Sequence, residues 1–129
     1  MPSKILSQLI SLTIEAGEVI MSFRNNTNSV AIKSDNTPVT KADHASNELI
    51  INTLKLLTPN IPVLSEESMD IPFSVRKLWN EYWLIDPLDG TRDFIDGSPD
   101  FCISIALIKN NRSIFGLIYS PVQKVHYYC

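Results

Sequence analysis

Three features of the sequence predict an α+β fold in which two helices pack on a largely antiparallel sheet. Two long segments in the first half repeat apolar residues at steps of three and four, the period of a helix with one buried face. The second half holds short apolar runs separated by polar turns, the pattern of an antiparallel meander. The composition is that of an ordinary globular chain, 44% hydrophobic and 19% charged over 129 residues. That is enough to bury a core in one domain without a disulfide or metal staple.

Taken in order, the first helix is expected over Lys4–Phe23 with Ser3 as N-cap. Leu6, Leu9, Ile10 and Ile20, with Ile5, Leu12, Ala16, Val19 and Phe23, fall on its helical steps. Gly17 inside it costs up to about 1 kcal/mol against alanine, which points to close packing there. Asn25–Ser29 reads as a loop, Val30–Lys33 as a short strand and Ser34–Pro38 as a turn. A second helix is expected over Lys41–Leu57, with Leu49, Ile50, Leu54 and Leu57 on one face. Thr58-Pro59-Asn60 stops it, because proline cannot continue the hydrogen-bond ladder.

Ile61–Leu64 reads as a buried strand ending at Ser65-Glu66-Glu67-Ser68, and Met69–Asn80 carries no decisive pattern. Tyr82–Ile85 is a buried-strand run leading straight into Asp86. Phe101–Ile108 and Ile114–Tyr119 flank the polar turn Lys109-Asn110-Asn111-Arg112 as a hairpin, and Val122–Tyr128 adds a third strand after Pro121. Trp79, Trp83 and Phe101 are expected in the core.

Charge narrows the function classes. A net charge of −3 argues against general affinity for nucleic acid or anionic membrane. Lys33, Lys41, Arg92 and Arg112 form no basic stripe, so binding to a nucleic-acid polymer is not expected. Ser3, Ser7, Gln8, Ser11, Glu15 and Glu18 interrupt the first apolar positions, so no signal-peptide core is read there. No apolar run approaches the roughly 20 residues that span a bilayer. Cys102 is expected as a small buried hydrophobe, Cys129 is the last residue, and no CxxC pair occurs. A reducing cytoplasm is the expected setting. His44 and His126 lack ligand-spaced partners and read as structural or solvent-facing.

Chemistry concentrates in three acidic clusters that each follow a predicted element: Asp43, Glu66-Glu67, and Asp86 with Asp89. Hard divalent cations take carboxylate and carbonyl oxygens, and Mg²⁺ commonly binds substrate phosphate as well. Carboxylates converging from several strand ends suit two such ions and an in-line displacement at phosphorus. In Asp86-Pro87-Leu88-Asp89-Gly90-Thr91, a tight bend would turn both aspartates to one side, with the Leu88 carbonyl between them as a further ligand. Gly90 admits a close backbone approach, and a helix starting near Thr91 would offer N–H groups to a phosphate. Each cluster alone also has a plainer reading. The hexapeptide could be a turn, Ser65–Ser68 a solvated acidic loop, and Asp43 a helix cap.

Together the three segments are more specific. Val39-Thr40-Lys41-Ala42-Asp43, Ser65-Glu66-Glu67-Ser68 and Trp83-Leu84-Ile85-Asp86-Pro87-Leu88-Asp89-Gly90-Thr91 resemble three successive signatures of the inositol monophosphatase superfamily. Asp89-Gly90-Thr91-Arg92-Asp93-Phe94-Ile95 is similar to its branch of 3'(2'),5'-bisphosphate nucleotidases, and Ile105–Ile108 with Gly116–Pro121 look like its hairpin. The resemblance implies the N-terminal α/β half of a layered αβαβα sugar-phosphatase fold. It further implies Mg²⁺-dependent hydrolysis of the 3'-phosphate of adenosine 3',5'-bisphosphate or its sulfated form, with inositol monophosphate hydrolysis as the alternative.

The implied roles are residue by residue. Glu66, Asp86 and the Leu88 carbonyl would hold one Mg²⁺, Asp86 and Asp89 would contribute to a second, and Glu67 would position a metal-bound water. Thr91, assisted by Asp43, would orient and deprotonate the attacking water. Asp89, Gly90 and Thr91 would meet the phosphate through their backbone, with Glu66 and Leu88 lining the same substrate site. Li⁺ is the implied inhibitor, and a small phosphorylated nucleotide is the implied partner.

The resemblance also carries a departure. The family's fuller chains carry a later Trp-Asp motif whose aspartate completes the second metal site, whereas here Trp79 precedes Asn80, Trp83 precedes Leu84, and no aspartate lies beyond Asp100. Residues 1–129 are therefore read as an N-terminal metal-binding portion without its C-terminal portion, either a fragment or an inactive remnant. Self-association through the exposed edge and apolar surface is expected.

Overall fold

The structure, a computed structural model, describes residues 3–24, 31–32, 38–67 and 70–129. Helix α1 spans Ser3–Ser22, so Ser3 is its first residue and not a flanking cap. It is long and apolar enough to cross a membrane, contrary to the sequence expectation. Its buried residues Leu9, Leu12, Ala16 and Ile20, however, join the core cluster of the domain, as those of a core helix do. Gly17 is explained by the same packing: a Cβ there would stand 2.7 Å from Tyr119 Cε2 and 3.3 Å from Pro121 Cβ.

Strands β1 (Ala31–Ile32) and β2 (Pro38–Val39) pair antiparallel as a small separate sheet. The expected loop over 25–29, the strand ends Val30 and Lys33, and turn residues 34–37 lie outside the described residues, as do Ser68 and Met69. Pro38, expected in the turn, opens β2 instead. Helix α2 occupies Lys41–Leu57 as predicted. Thr40 caps it, and a reciprocal capping box with Asp43 satisfies backbone donors that a helix start otherwise leaves orphaned.

The main sheet has five strands in sequential order: β3 (Val63–Ser65), β4 (Glu81–Asp89), β5 (Cys102–Lys109), β6 (Arg112–Ser120) and β7 (Val125–Tyr128). β3 and β4 run parallel, and every other pair is antiparallel. A short helix, α3 (Phe73–Arg76), lies in the stretch that showed no decisive pattern, and α4 (Thr91–Ile95) follows β4. β7 starts three residues later than predicted because residues 121–124 turn, with Lys124 at φ 57°.

Period-two alternation sends Ile103, Ile105, Leu107, Phe115, Leu117 and Tyr119 to the helix-covered face, where they join Trp83 and Ile85. Phe101 also enters this core, whereas Trp79 is only half-buried and leans on Tyr82, 5.8 Å between rings. The opposite face carries Leu84, Ile118 and Tyr127, which are 40%, 45% and 61% exposed. Cys102 lies on this second face and is half-buried, so it is not the core hydrophobe expected from its apolar neighbours.

Candidate metal and phosphate site

The segment from Asp86 to Asp89 does not bend away from the sheet as the tight turn predicted; it continues β4 through a bulge. Asp86 pairs with Ser104 and Asp89 with Cys102, so three steps on β4 match two on β5. Residues two apart on a strand share a face, and so therefore do their partners. The extra residue is what turns two aspartates three apart onto the same side. Pro87, which could not donate to a regular ladder, sits inside this irregular stretch. Asp86 Oδ1 accepts from Leu88 N at 3.2 Å, which folds the carboxylate back along the bulge.

Gly90 follows at φ 90°, a left-handed conformation that other residues rarely adopt. Behind it, an added Cβ would lie 2.9 Å from the Asp100 carbonyl oxygen and 3.3 Å from Phe101 Cα. Gly90 is thus required by both backbone and packing. It is also the N-terminal flank of α4, whose first residue is Thr91.

Helix α2 ties the three acidic segments together. Asp43, Ser46 and Asn47 lie at i, i+3 and i+4 and so share one face. Thr91 Oγ1 donates to Asp43 Oδ1 at 2.9 Å, while Asp43 Oδ2 accepts from Thr40 N at 2.9 Å and Thr40 Oγ1 at 2.6 Å. Ser46 Oγ donates to the Pro87 carbonyl at 2.7 Å and fixes the bulge. Ser65 Oγ donates to Asn47 Oδ1 at 2.5 Å, and Glu67 N returns to Ser65 Oγ at 3.2 Å. The β3 pairing continues one residue further, with Glu66 N donating to the Ile85 carbonyl at 3.0 Å. Glu66 is thereby set beside the residue that precedes Asp86.

Asp43 and Ser46 are fully buried, as is Ser65. Asp43 is thus the helix cap partner with one carboxylate oxygen, while the other accepts from Thr91. Thr40, Ser46 and Asn47 were not singled out from the sequence. For Ser46 and Asn47 the signal is a polar residue on the inward side of an amphipathic helix, where an unmatched polar group is costly, and for Thr40 a cap residue just before that helix.

Electrostatics links the acidic residues. Burial, and then the charges of Asp89, Glu66 and Glu67, push the Asp86 carboxyl from 3.8 to about 6, against a lowering by the Leu88 N–H. The Cys102 thiol is pushed up to about 11 by burial and by Asp89 and Asp86. Its sulfur stands 4.0 Å from Asp89 Oδ2. Among the described residues, no three His, Cys, Asp or Glu side chains stand close enough to enclose one metal ion. The donor chemistry nevertheless fits a hard cation: the donors are oxygens, and a positive ion beside Asp86 would favour the ionised form that burial and its acidic neighbours disfavour.

Comparison with known proteins gives a consistent picture. Residues 1–128 match the inositol monophosphatase family. The chain is 46% identical over 125 residues to the Escherichia coli K12 protein named 3'(2'),5'-bisphosphate nucleotidase CysQ, covering 95% of this chain and 50% of that protein. CysQ from Bacteroides thetaiotaomicron superposes with a TM-score of 0.75 at 38% identity, over 92% of this chain and 42% of that one. The Thermotoga maritima IMPase superposes with a TM-score of 0.86 at 25% identity, over 98% and 48%. The chain thus spans about half the length of the curated relatives it matches.

Proposed function

The chain belongs to the inositol monophosphatase family, and on that premise we propose that it forms the N-terminal metal-binding portion of a Mg²⁺-dependent phosphomonoesterase. Its substrate is a small nucleotide carrying a 3'-phosphate, with adenosine 3',5'-bisphosphate as the preferred form. The observation that carries the reading is the Thr91–Asp43 hydrogen bond beside the bulge that aligns Asp86 with Asp89. The substrate choice rests on similarity to the bisphosphate nucleotidases and on Arg92-Asp93 after the Gly-Thr pair.

In this reading Glu66, Asp86, Asp89 and the Leu88 carbonyl are the groups that would hold Mg²⁺, with Glu67 positioning a coordinated water. Bound Mg²⁺ supplies Lewis acidity at the phosphate and lowers the pKa of a water. Thr91 Oγ1 donates its hydrogen bond to Asp43 Oδ1, which leaves its lone pairs to orient the attacking water. As the water attacks phosphorus, its proton passes to Thr91 Oγ1 and the threonine proton to Asp43. The P–O bond to the ribose 3'-oxygen breaks, that oxygen takes a proton from solvent water, inorganic phosphate leaves, and Asp43 returns its proton to solvent. Asp43 is held for this role by two hydrogen bonds from Thr40. The Asp89–Thr91 backbone would meet the phosphate oxygens. Li⁺ inhibition, a cytoplasmic location, and self-association through the sheet face bearing Ile118 and Tyr127 belong to the same reading.

Phosphate release from adenosine 3',5'-bisphosphate and from inositol 1-phosphate, assayed side by side with Mg²⁺, tests it. The nucleotide is expected to be the better substrate, and Thr91→Val to abolish release. Equal or better turnover of inositol 1-phosphate favours the monophosphatase alternative, which the TM-score of 0.86 to the Thermotoga protein keeps open. No release from the unaltered chain, with release from one extended to the length of its relatives, favours the incomplete-site alternative.

A further inference from the structure

Arg24 lies just past the end of α1, distant in sequence from every acidic cluster, yet its guanidinium reaches the back of the candidate site. Its Nη2 donates to the Ser98 carbonyl at 2.5 Å. The same group stands over two aromatic rings, 4.8 Å from the centroid of Phe101 and 5.4 Å from that of Phe94. Those rings meet edge to face, 5.3 Å apart. Phe94 belongs to α4 and lies three residues after Thr91; Phe101 ends the loop that runs directly behind Gly90. One planar cation therefore contacts both walls of the Asp89–Thr91 segment, through one N–H donor and through its face.

We propose that Arg24 is a positioning residue for this site: it clamps α4 and the 97–101 loop together and so sets where Gly90 and Thr91 present their groups. The proposal rests on the reading of Asp86–Thr91 as a metal and phosphate site, and it adds a residue that no acidic signature contains. Gly90 has no slack toward the loop, because the Asp100 carbonyl and Phe101 Cα already pack where a Cβ would go. A shift of the loop is therefore transmitted to Gly90 rather than absorbed. The loop is fastened to α4 on the other side by Ser98 N donating to the Asp93 carbonyl at 2.9 Å, and Phe94 N donates to the Gly90 carbonyl at 2.9 Å. Phe94 and Phe101 belong to the core, and Arg24 adds a polar tie from the end of α1 to this unit.

Amide hydrogen exchange on the unaltered chain, Arg24→Ala and Arg24→Lys reads the clamp, and a Mg²⁺ titration on the same three proteins, well below their melting temperatures, reads its consequence. Arg24→Ala is expected to speed exchange at Phe94 and Ser98 about 10-fold while Ile103 and Ile105 in β5 keep their rates, and to weaken Mg²⁺ binding several-fold. Arg24→Lys keeps a charge but not the planar face, and is expected to fall between. Unchanged exchange at Phe94 and Ser98, or equal acceleration in β5, overturns the clamp. Local acceleration with unchanged Mg²⁺ affinity overturns the positioning role. Absence of Mg²⁺ binding by the unaltered chain, or binding that survives Asp86→Asn, overturns the site reading and this role with it, while the exchange data still decide the clamp.

Discussion

Replacing Asp86 by Asn is expected to stabilise the metal-free protein and to remove its response to Mg²⁺. The carboxyl is raised from 3.8 to about 6 by burial and by three neighbouring acids. At about 1.4 kcal/mol per pH unit, that penalty on the ionised form is about 3 kcal/mol before screening. Asp86 is only part-buried, and solvent screening reduces the figure to roughly 1–2 kcal/mol. Asn retains an oxygen to accept from Leu88 N, so the bulge keeps its internal hydrogen bond. A gain of that size raises the melting temperature by roughly 3–8 °C for a domain of this length.

The pH dependence has a definite sign. A carboxyl whose folded-state pKa is raised destabilises the fold above about pH 6, and the penalty fades as pH falls from there toward 3.8. The Asn advantage in EDTA is thus full at pH 7.5 and gone near pH 4. Mg²⁺ at a hundred times its dissociation constant would stabilise the unaltered protein by about 2.7 kcal/mol and reverse the order. Thermal melts at both pH values, with EDTA or Mg²⁺, measure all of this. An Asn variant less stable than the parent in EDTA at pH 7.5, or an equal Mg²⁺ response in both, refutes the reasoning.

Other substitutions probe the surrounding structure. Asp43→Asn sets an amide donor against Thr40 or Thr91 and is expected to cost about 1–3 kcal/mol in urea unfolding, because Asp43 is fully buried and accepts from three donors. Gly17→Ala is expected to destabilise by about 1–2 kcal/mol despite better helix propensity, since the new methyl meets Tyr119 at 2.7 Å; a neutral or stabilising melt contradicts that packing. Burial lowers the His126 pKa, against a raising contact with the Ile10 carbonyl, and its Nε2 lies 2.9 Å from Thr13 Oγ1. A lowered histidine pKa adds stability above pH 6.5 that is lost as pH falls through and below it, so the stability difference between the parent and His126→Asn should shrink from pH 7.5 to 5.

Much of the fold was legible because periodicity reports burial directly. The apolar steps of α1 and α2 and the alternation of Ile103, Ile105 and Leu107 each follow from one side facing a core. The parallel pairing of β3 with β4 was not legible, since a short apolar run carries no strand direction. Trp79 and Cys102 were misplaced for a related reason. Residue type predicts average burial, whereas the actual environment depends on which sheet face and which neighbouring element each meets.

At the site, the acidic residues stood out by charge, but the bulge did not: an irregular register depends on the partner strand, here Ser104 and Cys102 opposite Asp86 and Asp89. The supporting residues Thr40, Ser46 and Asn47 were hidden because polar residues near a helix start are common on solvated surfaces as well. Arg24 was invisible because its partners lie seventy or more residues away in the chain.

A titration with Mg²⁺ followed by backbone amide chemical shifts tests the central claim most directly. Saturable shifts are expected at Glu66–Glu67 and Asp86–Thr91, with no change near Thr13 and His126, and Asp86→Asn should abolish them. Shifts that are absent, that survive Asp86→Asn, or that centre elsewhere would contradict a metal site at the bulge of β4.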